Sequence, residues 1–270
     1  MHGKFATSGK FATFAKISAM KHVFLVLLLA GFGAFYSCRP SIRHANRAVF
    51  HTVEPLLRDD TARTGFFTNA SLFDRKYDEI MYETIQGDVI VPNDGTQNCL
   101  ICRYDPATLQ PIWIAVGGGK GGDAGCNYYT VPPENAVYVM GHFEGEASFP
   151  ITAGSKQCKK VVSHGLADMF IAKYSYDKGI LQWIASGGSE HADIVFTDNL
   201  GARHKETLMT VDSAVVTIYT NFFGPAKFGD KSIEAKLSGS AVQVSYDKTT
   251  GKVKNVQFAT SLPSFGNQAK

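Results

Sequence analysis

Two stretches of this chain hold side chains at spacings from which chemistry is commonly built. Cys99 and Cys102 form a Cys-x-x-Cys pair, the spacing of many zinc sites and of thiol-disulfide exchange. The run Gly117-Gly118-Gly119-Lys120-Gly121-Gly122-Asp123 has the glycine content of a loop that wraps phosphate. Both readings meet physical objections. On a strand, residues three apart face opposite sides, so the two thiols cannot grip one ion, and no second Cys-x-x-Cys completes a ligand set. A Walker loop needs Gly-Lys followed by Ser or Thr at a helix start, whereas Gly121 follows Lys120. His142, His164, His191 and His204 are scattered without a ligand spacing. Asp94, Asp123 and Asp193 sit in glycine-containing loops, but the alternating Asp/Asn frame of a calcium loop is missing. No serine occupies a nucleophile elbow, and no paired carboxylates stand out. The sequence therefore nominates no catalytic, cofactor-binding or metal-binding residue and no cofactor.

Cys38 has a different setting. Ahead of it come Lys4, Lys10, Lys16 and Lys21 with no acidic residue, then the apolar run VFLVLLLAGFGAFY from Val23 to Tyr36. Lysines, an apolar core and then small or polar residues are the three parts of a secretory signal. The run is 14 residues long, and a helix crossing hydrocarbon needs about 20, so residues 1–37 read as an export signal. Met20 directly precedes Lys21 and His22, and translation from Met20 gives a leader of ordinary size. The leader closes on Phe35-Tyr36-Ser37-Cys38, which resembles the lipobox of bacterial lipoproteins. Phe35 and Tyr36 stand in place of the usual leucine and small residue. The resemblance implies lipid attachment at Cys38 and a membrane partner for the N-terminus; several acyl chains hold a protein stably where one gives marginal binding. Ordinary cleavage near Gly31-Phe32-Gly33 and an uncleaved anchor are the alternatives.

The formal charge of +3 belongs to this leader, because its four lysines, taken from 27 Lys and Arg, leave 23 basic against 24 acidic residues. A nearly neutral body lacks the basic cluster that counterion release requires, which excludes nucleic acid as the expected partner. Export makes disulfides possible, and the four cysteines besides Cys38 allow three pairings among which spacing does not choose.

The elements that position these residues are repeated. WIAVGGGKGGD from Trp113 to Asp123 returns as WIASGGSEHAD from Trp183 to Asp193. Trp113, Gly117, Gly118 and Asp123 thus match Trp183, Gly187, Gly188 and Asp193, 70 residues on. Self-similarity at such a period marks a repeat architecture. Each phrase ends a hairpin: CLICRYD, PATLQ, PIWIAV in the first copy, and ADMFIAKY then ILQWIA around Tyr176-Asp177-Lys178-Gly179 in the second. A weakened third, AVQVSYD, KTTG, KVKNVQFA, has Val256, Gln257 and Phe258 about where tryptophan is expected. A second hairpin type alternates with the first. It pairs NYYTV with NAVYVMGHFEGEASF, and TLMTV with AVVTIYTNFFGPAKF, and it contains Phe143, Gly145, Phe149 and Phe222, Gly224, Phe228 at an offset of 79. Four strands per repeat predict all-β, propeller-type blades.

From Asn135 to Gly188 the order VYVMGHFEG, SF, HGLADMFIAKYSYDKGILQWIASGG resembles the bacterial seven-bladed β-propeller repeat of exported proteins, over roughly Asn98 to Ala259. The resemblance implies a blade fold and an exported setting and transfers no catalytic residue. About three blades are recognisable, which is too few to close a ring and predicts an incomplete or open propeller. The expected organisation is a signal at 1–37, a tether and poorly assigned segment at 38–78, and the repeat domain at 79–270. Structural roles are expected for the repeated positions: tryptophan filling the space between sheets, Gly-Gly turning from sheet to sheet at positive φ, and aspartate holding that turn through amide hydrogen bonds.

The expected function is a non-enzymatic binding or scaffold module, exported and lipid-anchored at the bacterial outer membrane or cell surface. Its expected partner is an unidentified protein or glycan, with a further chain completing the propeller as another possibility. The alternatives are a propeller-based carbohydrate-active hydrolase or lyase, with acidic and histidine side chains gathered at one mouth, and an inactive fragment of a larger repeat protein. Fold alone does not choose among them.

Overall fold

The computed structural model describes residues 47–53, 65–71, 78–92, 98–118, 124–130, 132–191 and 208–260. The leader, Cys38, Asp94, Lys120, Asp123, Asp193 and His204 lie outside these residues. Residues 45–270 form one compact unit, and every regular element described in it is a β-strand.

The described strands fall into four sheets, none of which closes on itself. The first holds β1 (Arg47–Phe50), β3 (Glu79–Tyr82) and β4 (Val89–Pro92), with β1 running parallel to β3. A second antiparallel sheet holds β2 (Phe66–Ser71), β5 (Asn98–Tyr104) and β6 (Pro111–Gly117) in the order β2-β5-β6. Next come β7 (Ala124–Thr130), β8 (Ala136–Pro150), β9 (Cys158–Ser175) and β10 (Leu181–Ser189), which meander as neighbours. Last is the sheet β11-β12-β15-β16, made of β11 (Leu208–Val211), β12 (Val215–Phe222), β15 (Ser240–Asp247) and β16 (Val253–Phe258). The expected four-strand unit is thus complete twice, and β2-β5-β6 is the third. The hairpin of β13 (Pro225–Phe228) and β14 (Lys231–Glu234) leaves its own repeat and pairs with β10, lengthening the middle sheet to six strands. β1 and β2 arise within residues 38–78, so the segment read from sequence as tether and unassigned chain contributes two strands.

The core lies between sheets. Phe170, Ala172 and Tyr174 of β9 join a cluster with Trp113, Ile101 and Phe66, while Met169 and Ile171 of the same strand join one with Val216, Ile218 and Val244. A sheet covered on both faces needs apolar residues at consecutive positions, which explains the unbroken run ADMFIA. On β15 the apolar residues alternate with polar ones. Val242, Val244 and Tyr246 are buried, and Gln243 and Ser245 alternate with them on the other side, which is the period of two of a strand.

Three hairpin turns of the tryptophan type superpose in their bonding. Leu109, Gly179 and Gly251 donate their amides to Asp105, Ser175 and Asp247 at 2.7, 3.0 and 2.8 Å. All three adopt positive φ, at 58°, 62° and 71°. Asp105 and Asp247 cap their own turns: Asp105 Oδ1 accepts from Ala107 N at 2.7 Å, and Asp247 Oδ1 from Thr250 N at 2.8 Å.

Candidate functional site

The repeated residues are assembled at the junctions between successive sheets. Trp113 is fully buried, and its Nε1 donates to Tyr176 O, in the turn of the following repeat, at 2.9 Å. Arg103, opposite Trp113 on β5, donates to the same carbonyl at 3.2 Å and sits 4.4 Å above the Tyr176 ring. The junction recurs one repeat later: Trp183 Nε1 and Lys173 Nζ both donate to Lys248 O at 3.1 Å, and Lys173 again faces Trp183 across the strands. A cation and an indole from one repeat thus converge on one backbone oxygen of the next. Each tryptophan contributes roughly 1.5–3 kcal/mol or more by burial, and each hydrogen bond about 1 kcal/mol net.

Glycine is required where the indole lands. A Cβ on Gly179 falls 2.6 Å from Trp113 Cδ2, and one on Gly251 falls 2.6 Å from Trp183 Cδ2. Leu109 holds the same place in the first turn, where no tryptophan arrives; instead its carbonyl accepts from Val53 N at 2.9 Å and its side chain packs with Val53 and Tyr82.

The Gly-Gly phrases do a different job from the one their sequence suggests. Gly117, Gly118, Gly187 and Gly188 are not at positive φ; that conformation falls to Gly145 and Gly224 of the phenylalanine motif, at 60° and 96°, and to the hairpin turns. What excludes a side chain at Gly117 and Gly187 is the ring of Phe149 or Phe228 lying against the backbone. Strand pairing follows from this approach. Gly118 exchanges hydrogen bonds with Ser148 at 3.0 and 2.6 Å, and Gly187 and Gly188 pair with Phe228 and Lys227. The phrase is an interlock between repeats, and its closing residues Asp123 and Asp193 lie outside the described chain.

A disulfide between Cys99 on β5 and Cys126 on β7 staples the first junction. Cys102 faces the other side of its sheet, as the strand geometry requires; it is buried and free, and burial pushes its thiol well up from the ordinary range. Cys158 is free and exposed. No three His, Cys, Asp or Glu side chains, His142, His164 and His191 included, gather at metal-binding distance among the described residues.

One charged group bridges the second junction. Glu134, in the β7–β8 turn, pairs with Lys248 of the next repeat and accepts from Tyr138 Oη at 2.8 Å. Burial pushes the Glu134 carboxyl up, but the hydrogen bonds from Lys248 and Tyr138 and the charges of Lys248 and Lys173 outweigh it and hold it below the ordinary range. Lys173 is pulled down, first by burial, although Glu134 opposes the effect.

The last sheet differs on the face that would receive a further repeat. Register equates Lys173–Trp183 with Ser245–Asn255, since each first-named residue precedes the tyrosine of its hairpin turn. The tryptophan position is therefore Asn255, not Val256, Gln257 or Phe258 as the sequence alignment suggests. Tyr138, Met140 and Ile171 become Thr217, Tyr219 and Gln243 by the same register. The docking cation, indole and apolar patch are all replaced by uncharged polar groups. A polar outer face is how stacked repeats are capped, so the third sheet is not equipped to dock another blade as the first two are.

The sequence missed the cation of the clamp. Its signal was a basic residue just before the hairpin tyrosine, Arg103 before Tyr104 and Lys173 before Tyr174.

These contacts define a class: an all-β repeat protein of blade-like sheets in an open arrangement, locked together by a tryptophan-and-cation clamp and a glycine–phenylalanine interlock. No protein-family model, curated protein or solved structure matches the chain.

Proposed function

We propose that this is an exported, lipid-anchored protein of the bacterial cell envelope, serving as a non-enzymatic binding or scaffold module built from the seven-bladed type of propeller repeat that its sequence resembles. The observation that carries the exported setting is the Cys99–Cys126 disulfide, since such bonds form and persist in oxidising compartments. It agrees with the leader ahead of Cys38. The scaffold role is supported by the use made of the conspicuous residues, because Trp113, Trp183, Gly117 and Gly187 are engaged in junctions between sheets. Asp105 and Asp247, which occupy equivalent turns, have their Oδ1 atoms bonded to turn amides. That weighs against a pair of carboxylates poised for hydrolysis.

The test is metabolic labelling with a fatty acid in a bacterial host, followed by membrane fractionation. Wild type is expected to take up label and sediment with membranes, and Cys38→Ala to do neither. Equal labelling of the two chains rejects the lipid anchor, and recovery of an unlabelled wild type from the cytosol rejects the envelope role.

A further inference from the structure

We infer that the end of the sheets opposite the tryptophan-type hairpin turns rests on a lipid bilayer, with Leu166 and Leu237 inserted at its surface; this depends on the lipid-anchor reading and names the part of the fold that the anchor brings to the membrane. The two ends expose different side chains. One holds the hairpin turns of Leu109, Gly179 and Gly251. The other holds the bends at Gly145 and at residues 163–166, where the β8–β9 hairpin folds back on itself, and the β14–β15 connection that contains Leu237. The three most exposed large apolar side chains among the described residues stand at this second end: Leu237 at 71%, Leu166 at 68% and Val162 at 60%. Phe258, paired with Val242 near the same end, is 52% exposed. The hairpin-turn end has Ile85, at 58%, and Ile180, at 37%. Leu166 and Leu237 hold comparable places in successive repeats: Leu166 directly precedes Ala167, the partner of Glu144, and Leu237 shortly precedes Ser240, the partner of Phe222. Glu190 and His191 lie between them, since a Cβ on Gly165 falls 2.4 Å from Glu190 C, and one on Gly224 falls 3.1 Å from His191 Cδ2 and 3.2 Å from Leu237 Cδ2.

Where the chain enters decides what covers this end. Val53 donates to Leu109 O among the hairpin turns, and β1 runs toward them from Arg47, so Arg47 stands at the opposite end, with the leucines. Nine residues lead from Cys38 to Arg47, at most about 30 Å of extended chain. Acyl chains on Cys38 therefore hold the Arg47 end within that distance of the bilayer, and the stretch from Arg47 to Val53 carries the hairpin-turn end about 20 Å further off. Apolar side chains at the headgroup boundary add their burial to the hold of the acyl chains, which is marginal for one chain alone. The contact is apolar rather than ionic. Glu144, Glu190 and Glu234 are exposed near this end against Lys236, Glu146 is paired with Lys160 and Glu79 with Arg47, and Arg39 and Arg43 ahead of β1 offset the acidic excess. His164 and His191 are exposed there too. That balance suits zwitterionic headgroups and predicts little dependence on salt.

The experiment puts a fluorescent reporter at each end of the full-length chain, purified from a bacterial host and reconstituted in phosphatidylcholine vesicles whose acyl chains are brominated. Trp113 and Trp183 are buried and supply a constant background. Leu166→Trp and Leu237→Trp are expected to lose most of their added emission to the brominated chains, in low and high salt alike. Ile85→Trp, at the hairpin-turn end, is expected to keep its emission. Matching thermal melts show that each variant is folded, which exposed positions should allow. Equal loss from all three reporters, loss from none, or loss that high salt abolishes overturns the inference. So does concentration-dependent dimerisation that Leu166→Ser/Leu237→Ser abolishes, which makes a second copy the occupant. A chain that takes up fatty acid at Cys38 and stays with the vesicles, yet leaves Leu166→Trp and Leu237→Trp unquenched, refutes the membrane-facing end while leaving the anchor standing. A chain that takes up no fatty acid and does not stay with the vesicles refutes both.

Discussion

Substituting Gly179 by alanine tests the junction between repeats more directly than removing a tryptophan does, because it adds one methyl group and removes nothing. Two costs arise. Gly179 sits at φ 62°, where a residue with a Cβ loses roughly 1 kcal/mol. The new methyl also lies 2.6 Å from Trp113 Cδ2, and overpacking of this kind costs about 1–3 kcal/mol. The expected destabilisation is therefore roughly 2–4 kcal/mol, a large part of the about 5–15 kcal/mol that holds a typical protein folded. Gly145→Ala supplies the control, since Gly145 has φ 60° and nothing within 4 Å of its would-be Cβ; it is expected to pay the backbone cost alone, about 1 kcal/mol. Urea unfolding followed by tryptophan fluorescence measures both, with a shift in midpoint at constant slope reporting stability. In a Trp113→Ala background, the cost of Gly179→Ala should fall to that of the control, which is the non-additivity expected of residues in contact. If Gly179→Ala and Gly145→Ala cost the same in the wild-type background, the indole does not press on the turn and the clamp as described here is wrong.

Two other consequences concern the staple and the charged bridge. The Cys99–Cys126 bond closes a loop with a sequence separation of 27, for which chain entropy gives about 3.5 kcal/mol; Cys99→Ala/Cys126→Ala is expected to lose most of that in urea unfolding, and a loss below about 1 kcal/mol refutes the role assigned to the bond. Acid should weaken the fold in a defined order. Glu134 and Asp247 both have lowered pKa values, so the stability they provide is complete above their unfolded values and is lost as pH falls through the folded ones. For Asp247 that window runs from 3.8 down to about 2, set by the Thr250 amide, Lys254 and the Thr250 hydroxyl. Glu134→Gln should flatten the acid limb of a plot of stability against pH, and an unchanged limb removes Glu134 from the junction.

The polar end of the third sheet bears on how the repeats terminate. Where the first two sheets offer Arg103 with Trp113, and Lys173 with Trp183, the third offers Ser245 with Asn255. A fourth blade arriving by the same geometry meets neither the cation nor the indole of the clamp at these two positions. A partner chain completing the propeller, if it docks at this face, would meet Ser245 and Asn255 where the other junctions have a cation and an indole. Among the described strands β16 is a sheet edge, and Lys254 on it and Lys252 just before it are charged residues of the kind that discourage edge-to-edge pairing.

Local pattern was enough to determine the strands and hairpins of the repeated phrases, though not β1, β2 or the β13–β14 hairpin. The alternation in AVQVSYD, the unbroken run ADMFIAKY and the Asp-Lys-Gly turn between it and ILQWIA each encode a short-range preference, for one apolar face, two covered faces and a left-handed turn residue. Recurrence of Trp113 and its neighbours at Trp183 was likewise enough to define a repeat, because matching residues at matching offsets need no coordinates to be seen. What the Gly-Gly pair is for was not legible. Its composition suggests a flexible turn, but the reason for glycine is the ring of Phe149 or Phe228, which arrives from the next repeat. The same holds for Arg103, which looks like an ordinary strand cation until its partner at Tyr176 O is known, and for Leu109, whose positive φ runs against the preference of its side chain. Cysteine pairing also had to wait, since three combinations share one sequence and only the approach of β5 to β7 selects Cys99 with Cys126. Contacts within a strand or hairpin are set by neighbours in the chain, and the sequence records them as periodicity. Contacts between sheets depend on where a residue tens of positions away is carried by folding, and no local preference encodes that.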